Sequence, residues 1–506
     1  MHNIQRNFII LLLISIAFIS CDKREPYVLV GTIDNYKSDS IGFYLPLNGK
    51  YMAGANTVKV PIDTATGQFT LEVSDELDAF VTFYSPAYGN YITTWAEAGK
   101  KDSVVMDWAL KDAPKFYGDH EKALNFYYTR PRMFIYHAWS VLENKYMKDS
   151  LATDTYKKIM KEYQLELDTI NQMLAEESIS EEFARGLKYD SRYHWKTLFS
   201  AVAWHHYYYK NLLKRKSVYN DDWEAVYKKL FEEEDLNNSE ALMTRYYSDF
   251  LKDYRLITQQ WNGYERDTTL NASDAADAYH NQNIEIIRDS YEGQVEEYVW
   301  AGYLAHEGLQ KKFEKSLLKS FDDFKQVYPE SAYLSHVSKY IDPIADYYKK
   351  LERPMDDDII FRADAMEYTS WEEIVAPHKG EIIYVDMWAT WCGPCKDEFK
   401  HKDGLKEFIK DKPIKVLYVS SDRDEYEDRW KEMVQYYDLE GENMRISQDL
   451  YWKIWGMIHD KKMSSLPRYL IVDREGNMVV KEAKRPSDGQ ALYDQLAEQL
   501  MASVDD

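Results

Sequence analysis

Cysteine is nearly absent. The 506-residue chain holds three, Cys21, Cys392 and Cys395. A structural zinc site takes four ligands, usually two Cys-x-x-Cys pairs or one pair with two spaced histidines, and no second pair exists to complete one. A framework of disulfide staples is excluded too, so the cores must form by apolar burial, which this length supports across two to four domains. Long apolar runs are also missing. The run near the N-terminus, Phe8 to Phe18, is too short to cross a bilayer. Positive charge is in deficit: 63 Lys and Arg stand against 86 Asp and Glu, a net charge of −23. Such a field repels nucleic acid and leaves no polybasic patch to hold a membrane surface. No internal period names a repeat family, although paired helices leave a helical-repeat array open.

What is present concentrates between Glu381 and Lys400, EIIYVDMWATWCGPCKDEFK. Ile382 to Val385 has the β-branched and aromatic content of a buried central strand, and Lys396 to Ile409 carries apolar residues at helical spacing. Cys392 therefore falls at a strand-to-helix turn. Unpaired backbone N–H groups and the positive end of the helix dipole stabilise a thiolate there, which makes Cys392 the expected nucleophile. Pro394 suits the first helical turn and stiffens the loop, keeping Cys395 within reach as the resolving thiol. A purely structural bridge across two residues would restrain little unfolded-chain entropy, so the pair reads as redox chemistry.

At these residues the chain resembles thioredoxin, whose Trp-Cys-Gly-Pro-Cys-Lys motif recurs as Trp391, Cys392, Gly393, Pro394, Cys395 and Lys396. The Asp-Phe-Trp-Ala segment preceding that motif is matched by Asp386-Met387-Trp388-Ala389. The resemblance implies a redox-active Cys392–Cys395 disulfide, with Asp386 as the buried carboxylate that takes the proton of the resolving cysteine. It also makes Leu466-Pro467 the cis-proline loop, whose Leu466 backbone would pair with an extended substrate as an added strand. An inserted strand and helix before that loop is typical of the extracytoplasmic thioredoxin-like reductases that include the cytochrome c maturation proteins. Many of those carry Asn where Asp386 stands, and Thr or Val is commoner than Leu466. The resemblance covers about Ile359 to Asp506.

The rest of the chain divides by period. Residues 1–21 combine Arg6, the apolar run and Ser20 before Cys21, which reads as a secretory signal and resembles a bacterial lipoprotein processing box with Cys21 as the lipidated residue; Phe18 departs from the usual Leu. Residues 26–112 alternate, as in Val28-Val30-Thr32 and Phe69-Leu71-Val73, with turns at Asn48-Gly49 and Thr66-Gly67. They predict a small antiparallel sheet or sandwich, similar in layout to the β-rich N-terminal domains of thioredoxin-like lipoproteins of the Bacteroidota. Residues 115–352 switch to helical period, with Ser178 and Glu181 as a capping box. Tyr207, Tyr208 and Tyr209 follow His205 and His206 there, and Tyr246-Tyr247 and Tyr347-Tyr348 recur. They predict wet-edged seams of a bundle rather than an aromatic platform or metal site, since adjacent histidines face apart. Residues 356–506 then read strand, helix, strand, helix, hairpin, helix, the order of an α/β thioredoxin-like fold.

The expectation is therefore a multidomain envelope lipoprotein, with a small β domain, an all-α middle and a thioredoxin-like end. It would be exported, anchored to the membrane by lipid and facing the periplasm, with no nucleic-acid partner, metal or cofactor. It would reduce disulfides of exported proteins and be re-reduced by a membrane electron donor. The Gly393-Pro394 pair, without histidine, resembles the reducing members. Isomerase or oxidase activity shares the same steps, and a ligand- or partner-binding lipoprotein acting through its helical domain is the other alternative. No Pro-x-x-x-Thr/Ser-x-x-Cys pattern precedes Cys392, which argues against a peroxidase of the peroxiredoxin type.

Overall fold

The computed structural model describes residues 25–36, 38–52, 54–74, 78–85, 90–107, 113–129, 145–263, 270, 272–458 and 465–502. Cys21, and with it the expected signal peptide and lipidation site, lies outside the described residues. Contacts divide the chain into two compact units, one of Met1–Glu233 with Glu240–Phe250, the other of Glu234–Ser239 with Leu251–Asp506.

The first unit opens with eight strands: β1 (Tyr27–Asp34), β2 (Ser40–Leu45), β3 (Asn56–Pro61), β4 (Gln68–Val73), β5 (Ala79–Ser85), β6 (Asn90–Ala96), β7 (Lys101–Asp107) and β8 (Lys115–Gly118). They form two four-stranded sheets, β4-β1-β7-β8 and β3-β2-β5-β6. Alternation places Tyr27, Leu29, Phe43 and Phe83 in one shared core, together with Phe183 and Leu187 of helix Glu181–Tyr207. Trp95 stacks on Phe183 at 5.0 Å. Gly31 is required because a Cβ there would meet Phe69 Cε1 at 2.0 Å.

Three expectations need correction. The sheets are not wholly antiparallel, since β1 pairs with β7 in parallel, a non-local choice that strand periodicity cannot reveal. Lys115–Gly118, expected to open the helical stretch, is a strand that buries Phe116 against β7. The cap before Glu181 is Ser180, whose Oγ accepts from Phe183 N at 3.1 Å, whereas Ser178 Oγ donates to Met173 O. Ser180 is the residue with the extended backbone that an N-cap needs, and its hydroxyl also reaches Glu97.

A buried charge cluster sits at this cap. His120 Nδ1 lies 2.7 Å from Asp102 Oδ2, Nε2 lies 3.4 Å from Glu97 Oε2, and Tyr27 donates to Asp102. Burial pulls the His120 pKa down, but hydrogen bonds to the two carboxylates outweigh it and raise it to about 9. The His120 hydrogen bond holds Glu97 at about 2. The His120 contribution is thus complete below its unfolded value near 6.5 and is lost as pH rises through 9. We predict that raising pH from 6 to 10 costs this unit about 1–3 kcal/mol, read by hydrogen exchange of β1 and β7 amides, and that His120→Gln flattens this dependence.

In the second unit, helices Ala272–Ser290, Gly293–Leu309, Ser316–Val327 and Leu334–Leu351 precede one six-stranded sheet. Its strands are β9 (Ile359–Phe361), β10 (Ile382–Trp388), β11 (Ile414–Ser420), β12 (Gly441–Arg445), β13 (Arg468–Val472) and β14 (Met478–Val480), ordered β14-β13-β10-β11-β12-β9. Central β10 is buried along its whole length. It sends Ile383, Val385 and Met387 into one core, and Ile382 and Tyr384 into the core of the other face with Leu405, Leu492 and Leu496. The strand Gly441–Arg445 and helix Gln448–Ile458 fall between helix Glu427–Tyr437 and β13, where an inserted pair was expected. The tyrosines of both units mostly fill seams. Tyr193 packs on Tyr247 at 4.4 Å, Tyr347 stacks on Phe313 at 4.6 Å, and both Tyr247 and Tyr347 are buried. His205 stacks on Tyr209 while His206 turns inward against Trp223.

Candidate active site

After Trp388 the chain leaves β10 into a loop fixed by Asp422. Thr390 N and Oγ1 both donate to that carboxylate at 2.8 Å, and Ser420 Oγ donates at 2.7 Å. Helix Gly393–Glu398 then begins with Cys392 as its N-cap. Cys392 Sγ accepts from Cys395 N at 3.2 Å, so the sulfur takes the place of a capping oxygen. Cys392 and Cys395 are joined as a disulfide with Cα atoms 5.4 Å apart. Cys395 is wholly buried and Cys392 is 3% exposed, beside Trp391 at 61%. A partner sulfur therefore meets Cys392 first, along the edge marked by the tryptophan. The helix expected over Lys396 to Ile409 is two pieces, Gly393–Glu398 and Lys402–Ile409, joined by a tighter turn that sets Phe399 edge-on against Trp388 at 5.2 Å.

Asp386 is fully buried on the face of β10 that carries Tyr384 and is covered by helix Lys402–Ile409 and the closing helix Gln490–Ala502. Its register partners are Tyr418 on β11 and Tyr469 on β13. Asp386 Oδ1 and Tyr469 Oη are both buried without a hydrogen-bond partner. Burial first, and the charge of Glu398 second, hold the Asp386 carboxyl well above the usual range, so it keeps its proton near neutrality. Glu398 itself accepts from Ser487 N and Oγ at 3.0 Å. The Leu466-Pro467 bond is cis, at the start of β13, with Leu466 packed on the opposite core.

In the unfolded chain Asp386 ionises near pH 4, whereas in the fold it does not, so its protonation costs stability progressively as pH rises past that point. Asp386→Asn removes that cost. We predict a gain of about 1–3 kcal/mol at pH 7 that disappears below about pH 4, measured by denaturant titration of the C-terminal unit.

Residues that sequence reasoning missed surround the motif. Lys396 directly follows Cys395 and is wholly buried. Its ammonium donates to Thr390 O at 2.8 Å, Lys311 O at 2.9 Å and Gln310 O at 3.3 Å. The last two carbonyls close the C-terminus of helix Gly293–Leu309, where the helix dipole favours a cation. Burial pushes the Lys396 pKa down to about 7, with the Arg429 charge adding to it, while the Glu314 charge acts the other way. Lys311 and Phe313 hold φ values of 52° and 57°, left-handed conformations that non-glycine residues adopt only when the surroundings impose them. Lys311 also pairs with Asp397 in the active-site helix. The only sequence signal was Lys396's place in the motif, and nothing local pointed to a partner 85 residues away. We predict that Lys396→Met speeds hydrogen exchange at the Gln310 and Lys311 amides at least about tenfold, because three carbonyls lose a charged donor.

The Redoxin family profile matches residues 375–496. Thiol-disulfide oxidoreductase ResA of Bacillus cereus is 30% identical over 103 residues, covering 20% of this chain and 55% of that protein. ResA of Bacillus thuringiensis subsp. konkukian is 29% identical over 122 residues, covering 24% and 63%. The chain thus spans between half and two thirds of the curated relatives it matches. Among solved structures, the thioredoxin domain of a thiol-disulfide oxidoreductase from Bacteroides vulgatus is 25% identical with a TM-score of 0.20, covering 24% of this chain and 82% of that one. That score is too low to bear on the fold, which rests on the sheet order and the motif. With both in place, residues 375–496 match the Redoxin family, carry a thioredoxin-like motif and are similar to the thiol-disulfide oxidoreductases named ResA.

Proposed function

We propose that the chain is a thiol-disulfide oxidoreductase that reduces disulfides of exported proteins. The observation that carries this reading is the placement of the two sulfurs. One caps a helix at the edge of the surface and the other is sealed beneath it. In the reduced state the Cys392 thiolate, favoured by the helix N-terminus, attacks one sulfur of a substrate disulfide. A mixed disulfide forms and the other substrate sulfur leaves as a thiolate, which takes up a proton. Cys395, losing its proton to the ionised form of Asp386, then attacks Cys392 Sγ. This restores the Cys392–Cys395 disulfide and releases the second substrate thiol, so two electrons have passed to the substrate. The proton acceptor keeps its own Oδ1 unpartnered, and the Tyr469 hydroxyl on the neighbouring strand is unpartnered too, which suits a transient role better than a structural one. A membrane dithiol donor reduces the disulfide again.

Trp391 borders the reactive sulfur, Gly393 and Pro394 shape the helix start, and the cis Leu466-Pro467 segment offers backbone to an extended substrate. Lipidation of Cys21 places the enzyme on the cell envelope facing the periplasm. Among the described residues no helix is long and apolar enough to cross a membrane.

The test is a Cys395→Ala trap. We expect a mixed disulfide between Cys392 and an exported protein to accumulate in cells and to vanish in Cys392→Ala, and recovery of no adduct would sink the exchange role. The reduction potential should lie nearer about −270 mV than about −120 mV, the values of a reducing and an oxidising family member; the reverse would make the enzyme an oxidase.

A further inference from the structure

Beside Trp391 lies a cleft of about 650 Å³. One wall is the segment that matches the Redoxin family, through Trp391, Arg423 and Arg429. The other comes from the preceding helical segment, through Tyr279, Lys312 and Glu314. That second wall is fixed, because Lys396 and the Lys311–Asp397 pair hold the adjoining turn against the active-site helix.

The charges lining the cleft are unusual for a chain of net charge −23. Lys312, Arg423 and Arg429 all face it, and among the described residues none pairs with a carboxylate within salt-bridge distance. Its two carboxylates, Asp422 and Glu314, form no salt bridge with them, and Glu314 offsets Arg429 and Lys312 only at longer range. Asp422 has both oxygens engaged by Thr390 and Ser420. Glu314 is 4% exposed, and burial raises its pKa, which favours the proton-bearing form. Two buried polar atoms on this lining have no hydrogen-bond partner, Arg429 Nη2 and Glu314 Oε2. Buried donors and acceptors are rarely left so, and a ligand carboxylate is the acceptor that suits the unpartnered guanidinium of Arg429 beside the Lys312 and Arg423 charges. Phosphate could satisfy the cations as well, but the aromatic mouth of Trp391 and Trp452, 61% and 54% exposed, suits the flanks of a peptide.

We propose that this cleft seats an acidic side chain flanking the substrate cystine, so that the enzyme selects disulfides with a neighbouring Asp or Glu. The helical segment thereby becomes part of the specificity site. This rests on the oxidoreductase reading above.

The test uses the full chain and three synthetic peptides: an intramolecular cystine flanked by Glu, the same cystine flanked by Gln, and the Glu peptide with Ser replacing both cysteines. With the protein reduced, the Glu peptide should be reduced about tenfold faster in kcat/KM than the Gln peptide. That ratio should fall toward one in Arg429→Gln, in the exposed-site variant Lys312→Gln, and at high salt. The cysteine-free Glu peptide should bind the oxidised protein, read by Trp fluorescence, and bind more weakly in both variants. If the two cystine peptides react equally in wild type and variants, the cleft proposal is wrong and the exchange reading stands. If neither is reduced while the cysteine-free peptide binds through Arg429, the acidic-ligand site stands and the exchange reading falls.

Discussion

One ammonium group ties the catalytic loop to the helices that precede it. Lys396 is buried without exposure, and a cation in that position persists only when hydrogen bonds replace its water. Three carbonyls do so, one from the loop before Cys392 and two from the end of helix Gly293–Leu309. The loop and the helix end therefore cannot move independently. Thr390 is held from the other side by Asp422, and the helix end runs into a turn with two left-handed residues. The loop that leads to the disulfide and the end of the preceding helix are thus mechanically one piece.

Around that anchor the buried charges fall into two kinds. Some are fully engaged: Asp422 by Thr390 and Ser420, Glu398 by Ser487. These give the loop and the helix their geometry. Others keep an atom unpaired, as at Asp386, Tyr469, Arg429 and Glu314. Apolar surroundings make such orphans costly, and other buried polar atoms in both units are left unpartnered as well. Asp386 and Tyr469 sit on adjacent strands and fit the proton transfer proposed above, and Arg429 and Glu314 line the cleft proposed for the substrate.

The first unit shows the opposite arrangement. His120, Asp102, Glu97, Tyr27 and Ser180 form a network whose members satisfy one another. Among the described residues none of these five side chains keeps a buried polar atom unpartnered, which makes the network a stabilising centre.

Much of the C-terminal domain was legible in the residues alone. Strand Ile414–Ser420 carries the apolar run Val416–Val419, the closing helix repeats leucine at 492, 496 and 500, and the cysteine pair sits where a strand period gives way to a helix period. Local patterns of this kind report burial directly, because one face of each element must find apolar partners. The short strands Ile359–Phe361 and Gly441–Arg445 carry too few residues for a period to register. The parallel partnership of β1 and β7, and the choice of Ser180 over Ser178 as a cap, depend on backbone positions that neighbours impose. Lys396 shows the limit most clearly. In the chain it is a charge in the first turn of a helix, which ordinarily faces water. Only the fold brings two carbonyls from 85 and 86 residues away to meet it, and with them the cleft beside the disulfide. Sequence alone placed the cysteine pair at a helix start, because that junction is a local fact. Tertiary structure decided what stands around it, because desolvation and hydrogen-bond supply are set by residues far apart in the chain.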